Sequence, residues 1–144
     1  MTEKTSESSE FFHKAERSLR AAITLAREGL FDDSVSRAYY AAFQAASGAL
    51  LERRKRFKSH NGLHAAFAEE FVREGPFDRE MSRILGRLYE RRFVGDYGDY
   101  RKITEDDALR AVADAARFLA TVFEHFGFDT ATSDQKDRIS DGNS

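Results

Sequence analysis

Apolar residues recur at three- and four-residue steps along most of the chain, the spacing that places side chains on one face of an α-helix. The pattern is strongest, and least interrupted by charge, from Asp33 to Leu51, which reads DSVSRAYYAAFQAASGALL. Small or aromatic residues occupy both sides of this segment. We therefore expect it to be the central helix of the fold, covered by protein on both sides.

Four further segments show helical periodicity and carry start and stop signals. They predict helices from about Glu10 to Gly29, from Ser59 to Gly75, from Asp78 to the repeat GDYGDY, and from Thr104 to Gly127.

Short polar residues precede several of these helices, where their side chains can cap the first turn. Ser59 is the expected N-cap of the third helix, Thr104 opens the fifth with a capping-box pattern, and Asp32 or Asp33 is the expected cap of the central helix. The link after Gly29 is short, so the first two helices should form an antiparallel hairpin.

Together the segments predict an all-α fold, a single antiparallel bundle of about five helices over residues 10–128. Residues 1–9 are polar and are expected to form a flexible arm. Residues 129–144 hold one isoleucine among polar residues and are expected to be a disordered tail.

Composition narrows the classes of function. The 144 residues suit one domain, and there is neither a long apolar run nor a signal-peptide pattern, so we expect a cytoplasmic protein with no membrane partner. The absence of cysteine excludes thiolate metal sites and cysteine nucleophiles. A net charge of −2 gives no overall attraction to nucleic acid, so a polyanion would need a local patch.

The chain has one basic cluster, in the stretch ERRKRFKSH after the central helix. Five cations occupy six positions: Arg53, Arg54, Lys55, Arg56 and Lys58. They could simply complement the dipole of a helix C-terminus in solvent. Alternatively, they form a patch that contacts phosphates of RNA or a nucleotide, with Phe57 available for stacking.

Two histidines, His60 and His64, lie one helical turn apart in the third helix. Two imidazoles without a carboxylate or thiol pattern make a weak metal site, so we expect no metal and no cofactor. The simpler expectation is one packed or hydrogen-bonded histidine and one that faces solvent.

Charged residues continue the apolar stripe of the fourth helix, because four-residue steps from Leu88 lead to Arg92 and then Asp96. In the central helix, Arg37 stands beside two tyrosines with no local partner. We expect Arg37, Arg92 and Asp96 to converge in a buried network, in which case Asp96→Ala should destabilise the fold by several kcal/mol.

That network has two interpretations. It could be an ion pair that ties the helix end to its neighbours. It could instead be a polar site that uses Tyr97 and, on the central helix, Tyr40 to bind a nucleotide or RNA.

Three stretches in order, GLFDDSVSRAYYAAF, SHNGLHAAFAEEFVREGPFD and RRFVGDY, resemble the HEPN family of small helical bundles over roughly Glu10 to Phe126. The resemblance implies a bundle of four or five helices, frequent dimerisation, and frequent pairing with a minimal nucleotidyltransferase as toxin and antitoxin. Many members are metal-independent ribonucleases with an arginine followed a few residues later by histidine. Some are modified on a tyrosine near that motif.

This chain departs from the ribonuclease motif. Arg92 matches the motif arginine, but no histidine occurs from Phe93 to Gly98. Arg53 and Arg54 do precede His60 at a similar spacing, although not at the family's position.

Three functions follow from these observations. The first is a dimeric interaction module of a toxin-antitoxin or defence locus, which binds a nucleotidyltransferase, RNA or a nucleotide through Arg37, Arg92, Asp96 and Tyr97. The second is a ribonuclease in which His60 or Tyr97 replaces the motif histidine. The third is a non-catalytic helical scaffold. The missing histidine favours the first over the second, because RNA cleavage needs a base with a pKa near neutrality.

Overall fold

The structure is a computed structural model that describes residues 6–98 and 102–129. Its helices are α1 (Ser6–Arg27), α2 (Phe31–Leu51), α3 (His60–Phe67), α4 (Arg79–Tyr97) and α5 (Glu105–Phe126), with a π-helical segment (Ala68–Arg73) directly after α3. The described residues contain no strand. The predicted all-α fold of five helices is therefore confirmed.

The second helix, α2, is the centre of the bundle, as predicted. It packs against each of the other four helices, and its alanines and Val35 are fully buried. A side chain at Gly48 would meet the ring of Phe12 on α1 at 2.5 Å. The missing side chain therefore allows α1 and α2 to approach closely, and Ser8 Oγ donates a hydrogen bond to the Gly48 carbonyl across this contact at 3.2 Å.

Local signals fix most helix ends as expected. Gly29 and Gly127 adopt left-handed φ angles of 81° and 67°, which glycine tolerates without steric cost. Ser59 Oγ accepts from the Gly62 amide at 3.0 Å, and Thr104 and Asp107 form the reciprocal capping box that opens α5.

Some boundaries differ from the sequence expectations. The first helix begins at Ser6 rather than near Glu10, because Ser8 is buried against α2; residues 6–9 are thus not part of an arm, and residues 1–5 lie outside the described part. Residues 130–144 of the predicted tail also lie outside it. The central helix begins at Phe31 without a side-chain cap, so Asp32 and Asp33 act on its dipole from within the first turn.

Two further corrections concern α5 and the segment after α3. On α5, Leu109 falls at a helical spacing from the other apolar residues but is 54% exposed, whereas Ala108 is fully buried. The third predicted helix changes to π-helical geometry from Ala68 to Arg73, and Phe71 in that segment is buried in the core.

Candidate functional site

A buried tyrosine of α2 joins two histidines of α3. Tyr39 is 0% exposed, and its hydroxyl lies 2.7 Å from Nδ1 of His60 and 3.0 Å from Nε2 of His64. The histidines stand one turn apart on α3, so both rings reach the same hydroxyl. The expectation that one histidine faces solvent was wrong, since both are partly buried.

Arg92 of α4 approaches the adjacent tyrosines Tyr39 and Tyr40. Its Nη2 donates to the hydroxyl of Tyr40 at 2.9 Å, and its Nε forms an ion pair with Asp96 Oδ2 at 3.0 Å. The guanidinium lies 5.9 Å from the ring centroid of Tyr39 and 5.2 Å from that of Tyr40, distances at which cation–π attraction operates. The Arg92 side chain is only 11% exposed, as expected for its place on the apolar stripe.

Two more aromatic rings complete the surroundings of the histidines. Tyr89 of α4 lies 5.1 Å from His60 and 5.5 Å from His64, between ring centroids. Phe43 of α2 lies 5.2 Å from His60. We call the whole group the tyrosine–histidine cluster: Tyr39, Tyr40, Phe43, His60, His64, Tyr89, Arg92 and Asp96.

Burial and the nearby cation set the protonation of the cluster. Burial lowers the pKa of His60 below its ordinary value of 6.5, and the charge of Arg92 lowers it further. Burial also lowers the pKa of His64, with a smaller contribution from His60. Burial raises the pKa of Tyr39, with Arg92 opposing. At neutral pH the cluster therefore holds two neutral imidazoles and a protonated phenol.

The expected convergence of Arg37 with Arg92 and Asp96 was wrong in one member. Arg37 is exposed, so it does not need a buried partner. Arg92 and Asp96 do pair, but Asp96 is also exposed. The pair therefore joins the cluster to the surface and is not part of a buried ionic network.

The basic cluster is partly neutralised within the chain. Glu70 pairs with Lys55 at 2.8 Å and with Arg53 at 3.5 Å, and Glu7 pairs with Arg56. Arg54 and Lys58 are exposed and form no ion pair with the described residues. Of the five predicted phosphate contacts, these two are the cations with the least intramolecular competition.

Metal ligation has no support in the described part of the chain, where no group of three or more histidines and carboxylates could hold an ion. None of its helices is long and apolar enough to cross a membrane. The backbone of Tyr97 belongs to the last turn of α4, but its side chain lies outside the described residues.

Comparison with known proteins decides the family. The sequence model of the HEPN domain matches residues 8–125. The chain belongs to the HEPN family. The resemblance of the three stretches is thus confirmed, and the match spans all five helices of the bundle.

Two relatives match most of this HEPN chain. UPF0332 protein glr0978 of Gloeobacter violaceus is 38% identical over 121 residues, 83% of this chain and 96% of that protein. A protein of Methanocaldococcus jannaschii named "Putative toxin MJ0605" is 36% identical over 105 residues, 73% of this chain and 78% of that protein.

The solved structure of TT1696 from Thermus thermophilus has the same fold. It superposes with a TM-score of 0.73 and 20% identity, covering 83% of this chain and 98% of that one. At this identity the likeness concerns the fold alone.

The tyrosine–histidine cluster contains residues that the sequence did not single out as functional. Neither Tyr39 nor Tyr89 was among the predicted site residues. His64 was noted for its spacing from His60. The four-residue step between the histidines was the available signal, but the packing of α3 against α2 determines that a tyrosine hydroxyl lies between them.

Proposed function

We propose that this HEPN protein is a metal-independent endoribonuclease that acts as a toxin, with Arg92 binding the scissile phosphate and His60 acting as the base. The observation that carries the proposal is the position of His60. Its ring lies 5.4 Å from that of Tyr39, and the guanidinium of Arg92 lies 5.9 Å from the same ring. His60 of α3 and Arg92 of α4 thus lie around the same tyrosine ring, near enough for the charge of Arg92 to lower the pKa of His60.

The protonation of His60 suits this role. A base for the RNA 2′-hydroxyl must be neutral at working pH, and the pKa of His60 is lowered by burial and by Arg92. Nδ1 is engaged by Tyr39, while Nε2 makes no hydrogen bond with the described residues. A tyrosine, whose ordinary pKa is about 10, is poorly matched to the same task.

The reaction would proceed by transesterification. The proton of the 2′-hydroxyl passes to His60 Nε2 as the 2′-oxygen bonds to phosphorus. The bond from phosphorus to the 5′-oxygen breaks, and that oxygen takes a proton from water. Arg92 offers a guanidinium that stabilises the charge on the phosphate oxygens. The products are a 2′,3′-cyclic phosphate and a 5′-hydroxyl.

Near the C-terminal end of α4, directly after Arg92, Phe93 and Val94 are 53% and 41% exposed. Two exposed apolar residues beside a polar site suit an interface, so the proposal includes a homodimer formed through this end of α4.

Further phosphates of the RNA would contact cations outside the cluster. The proposed contacts are Arg37, which lies one turn from Tyr40 on α2, and the exposed Arg54 and Lys58.

The toxin role is supported by the names of two M. jannaschii relatives, both described as putative toxins. A toxin needs a means of restraint. The proposed partner is a minimal nucleotidyltransferase, as the family resemblance implies, and the proposed target of modification is Tyr97.

The test is cleavage of a fluorophore-labelled single-stranded RNA of mixed sequence in EDTA. We expect wild type to release 2′,3′-cyclic phosphate ends, and both Arg92→Ala and His60→Ala to lose at least about a hundredfold in rate. His13→Ala and Arg110→Ala are the matched controls, since these side chains are exposed elsewhere. Binding of a 2′-deoxy analogue without any cleavage of RNA would instead support the interaction module.

A further inference from the structure

One hydroxyl lies between two imidazoles in the core of the bundle. The oxygen of Tyr39 is 2.7 Å from His60 Nδ1 and 3.0 Å from His64 Nε2. Both are hydrogen-bond distances. Because burial raises the pKa of Tyr39 and lowers those of the histidines, all three groups are neutral at pH 7.

The number of hydrogens available restricts the hydrogen bonds among His60, Tyr39 and His64 to two arrangements. Two hydrogen bonds need two hydrogens, and the phenol supplies only one, so one imidazole must donate while the other accepts. In the first arrangement Tyr39 donates to His60 Nδ1, and His60 then carries its proton on Nε2. In the second Tyr39 donates to His64, and His60 donates from Nδ1, which leaves a lone pair on Nε2.

Only the second arrangement makes His60 a base toward RNA. The protonation of His60 Nε2 is therefore tied to the tautomer of His64. No carboxylate contacts either imidazole among the described residues, so the usual partner that orients a catalytic histidine is absent there.

We propose that Tyr39 and His64 are positioning residues that form a proton relay with His60, setting its tautomer and carrying its proton away. The proposal rests on the ribonuclease function above. It adds two residues whose contribution passes through His60, and it places the second proton-holding group at His64.

Each transfer in the relay balances. A proton from the 2′-hydroxyl binds His60 Nε2, and the Nδ1 proton passes to the Tyr39 oxygen. The Tyr39 proton passes to His64 Nε2, and the proton on His64 Nδ1 leaves to water. The second arrangement thereby becomes the first, with His60 neutral and protonated on Nε2, while the departing 5′-oxygen takes its proton from water.

The charged and titratable groups around the relay come from two helices. On α4, Arg92 lowers the pKa of His60, and the ring of Tyr89 contacts both histidines. On α2, the ring of Tyr40 meets that of Tyr39 edge to face. Tyr89 makes no hydrogen bond with the described residues, so Tyr89→Phe is a matched control that keeps the packing and leaves the relay intact.

The first experiment measures the tautomers by ¹⁵N NMR of labelled histidines, which needs no RNA. We expect His60→Gln to shift the ¹⁵N signals of His64 in the wild-type background and to leave them unchanged in a Tyr39→Phe background. Tyr89→Phe should preserve the coupling. If His60→Gln leaves His64 unchanged with Tyr39 present, the relay does not exist, whatever the activity of the protein.

The second experiment measures cleavage of the labelled RNA against pH. We expect Tyr39→Phe and His64→Gln to lower kcat about tenfold or more with KM unchanged, and to move the acid limb of the pH profile. His13→Gln, which changes an exposed histidine outside the cluster, should have wild-type kinetics. Thermal melting checks that each variant is folded. Wild-type kcat and pH profile in folded Tyr39→Phe would overturn the relay.

The two proposals fail separately. Coupled tautomers in a protein that cleaves no RNA would refute the ribonuclease function and establish the hydrogen-bonded chain without a catalytic role. Cleavage that depends on His60 but not on Tyr39 or His64 would refute the relay and support the ribonuclease.

Discussion

Arg92 Nη2 donates to the hydroxyl of Tyr40 at 2.9 Å, across 52 positions of sequence. This hydrogen bond joins the end of α4 to the middle of α2. Successive residues point about 100° apart around a helix. The ring of Tyr39 can therefore enter the core while that of Tyr40 turns toward α4. The adjacent tyrosines thus serve different partners, the histidines and the arginine.

Removing that hydroxyl should destabilise the fold. Tyr40→Phe keeps the ring but takes away the acceptor of a largely buried guanidinium, and we expect a loss of about 1.5 kcal/mol, the lower end for a hydrogen bond to a charged group. Tyr89→Phe should stay within about 0.5 kcal/mol of wild type, because its hydroxyl makes no hydrogen bond with the described residues. Urea denaturation measures both; equal stability of the two variants would contradict the role of Tyr40.

Asp96 should matter more for binding than for stability. Its side chain is 30% exposed and pairs with Arg92 one turn away, and such surface pairs contribute less than about 1 kcal/mol. We therefore expect the melting temperature of Asp96→Asn to be near that of wild type. Asp96→Ala should lose much less stability than the several kcal/mol predicted for a buried network.

The carboxylate of Asp96 pairs with the guanidinium of Arg92, which is the group proposed to bind a phosphate oxygen. Asp96→Asn removes that competing charge, so we expect it to bind a 2′-deoxy oligonucleotide several-fold more tightly. Fluorescence anisotropy at fixed salt measures the affinity, with Asp106→Asn as the control because Asp106 pairs with Arg110 in a similar exposed geometry. Weaker binding by Asp96→Asn than by this control would contradict the idea of competition.

The two histidines should make stability depend on pH. Their pKa values are lowered in the fold from the ordinary 6.5, so the unfolded chain binds protons more readily. Stability should therefore fall as pH drops from 6.5 toward the folded pKa values. The double variant His60→Gln with His64→Gln should lose less between about pH 7 and about pH 5, a window above the carboxylate range. Identical pH dependence in wild type and the double variant would rule the effect out.

Features governed by local chemistry were predictable from the sequence. The five helices follow from apolar periodicity, and the caps at Ser59 and Thr104 involve residues three positions apart. The four-residue step from Leu88 placed Arg92 on the core stripe correctly. The start of α1 was not predictable in this way, because Ser8 is held by Gly48, 40 positions away.

The side-chain contacts within the site could not be predicted from the local sequence pattern. Which residue of α2 contacts Arg92 depends on the rotation of α2 against α4. The sequence predicted that Arg37 would lie beside Arg92, whereas Tyr40 does so in the structure. The bridging of His60 and His64 depends on where α3 crosses α2. Likewise, Glu7 and Glu70 neutralise cations of the basic cluster from distant positions, which the charge run alone does not reveal.

The end of α2 carries an unusual residue. Arg54 has a left-handed φ of 59°, and the bonds from its amide to the Leu51 carbonyl and from Lys55 to Leu50 form a Schellman-type ending. Glycine is the usual residue at this position, because a side chain there costs about 1 kcal/mol. An arginine in its place is consistent with a side chain that serves binding.

Replacing this arginine should therefore separate stability from RNA affinity. We expect Arg54→Gly to raise stability by about 0.5–1 kcal/mol and to weaken binding of the 2′-deoxy oligonucleotide, with the salt slope reduced by about one phosphate contact. Arg54→Ala keeps the backbone strain and removes the cation, so it should lose the same affinity without the gain in stability. Arg56→Ala is the matched control, since Glu7 already neutralises that cation. Equal salt slopes for wild type and Arg54→Gly would show that Arg54 does not contact the nucleic acid.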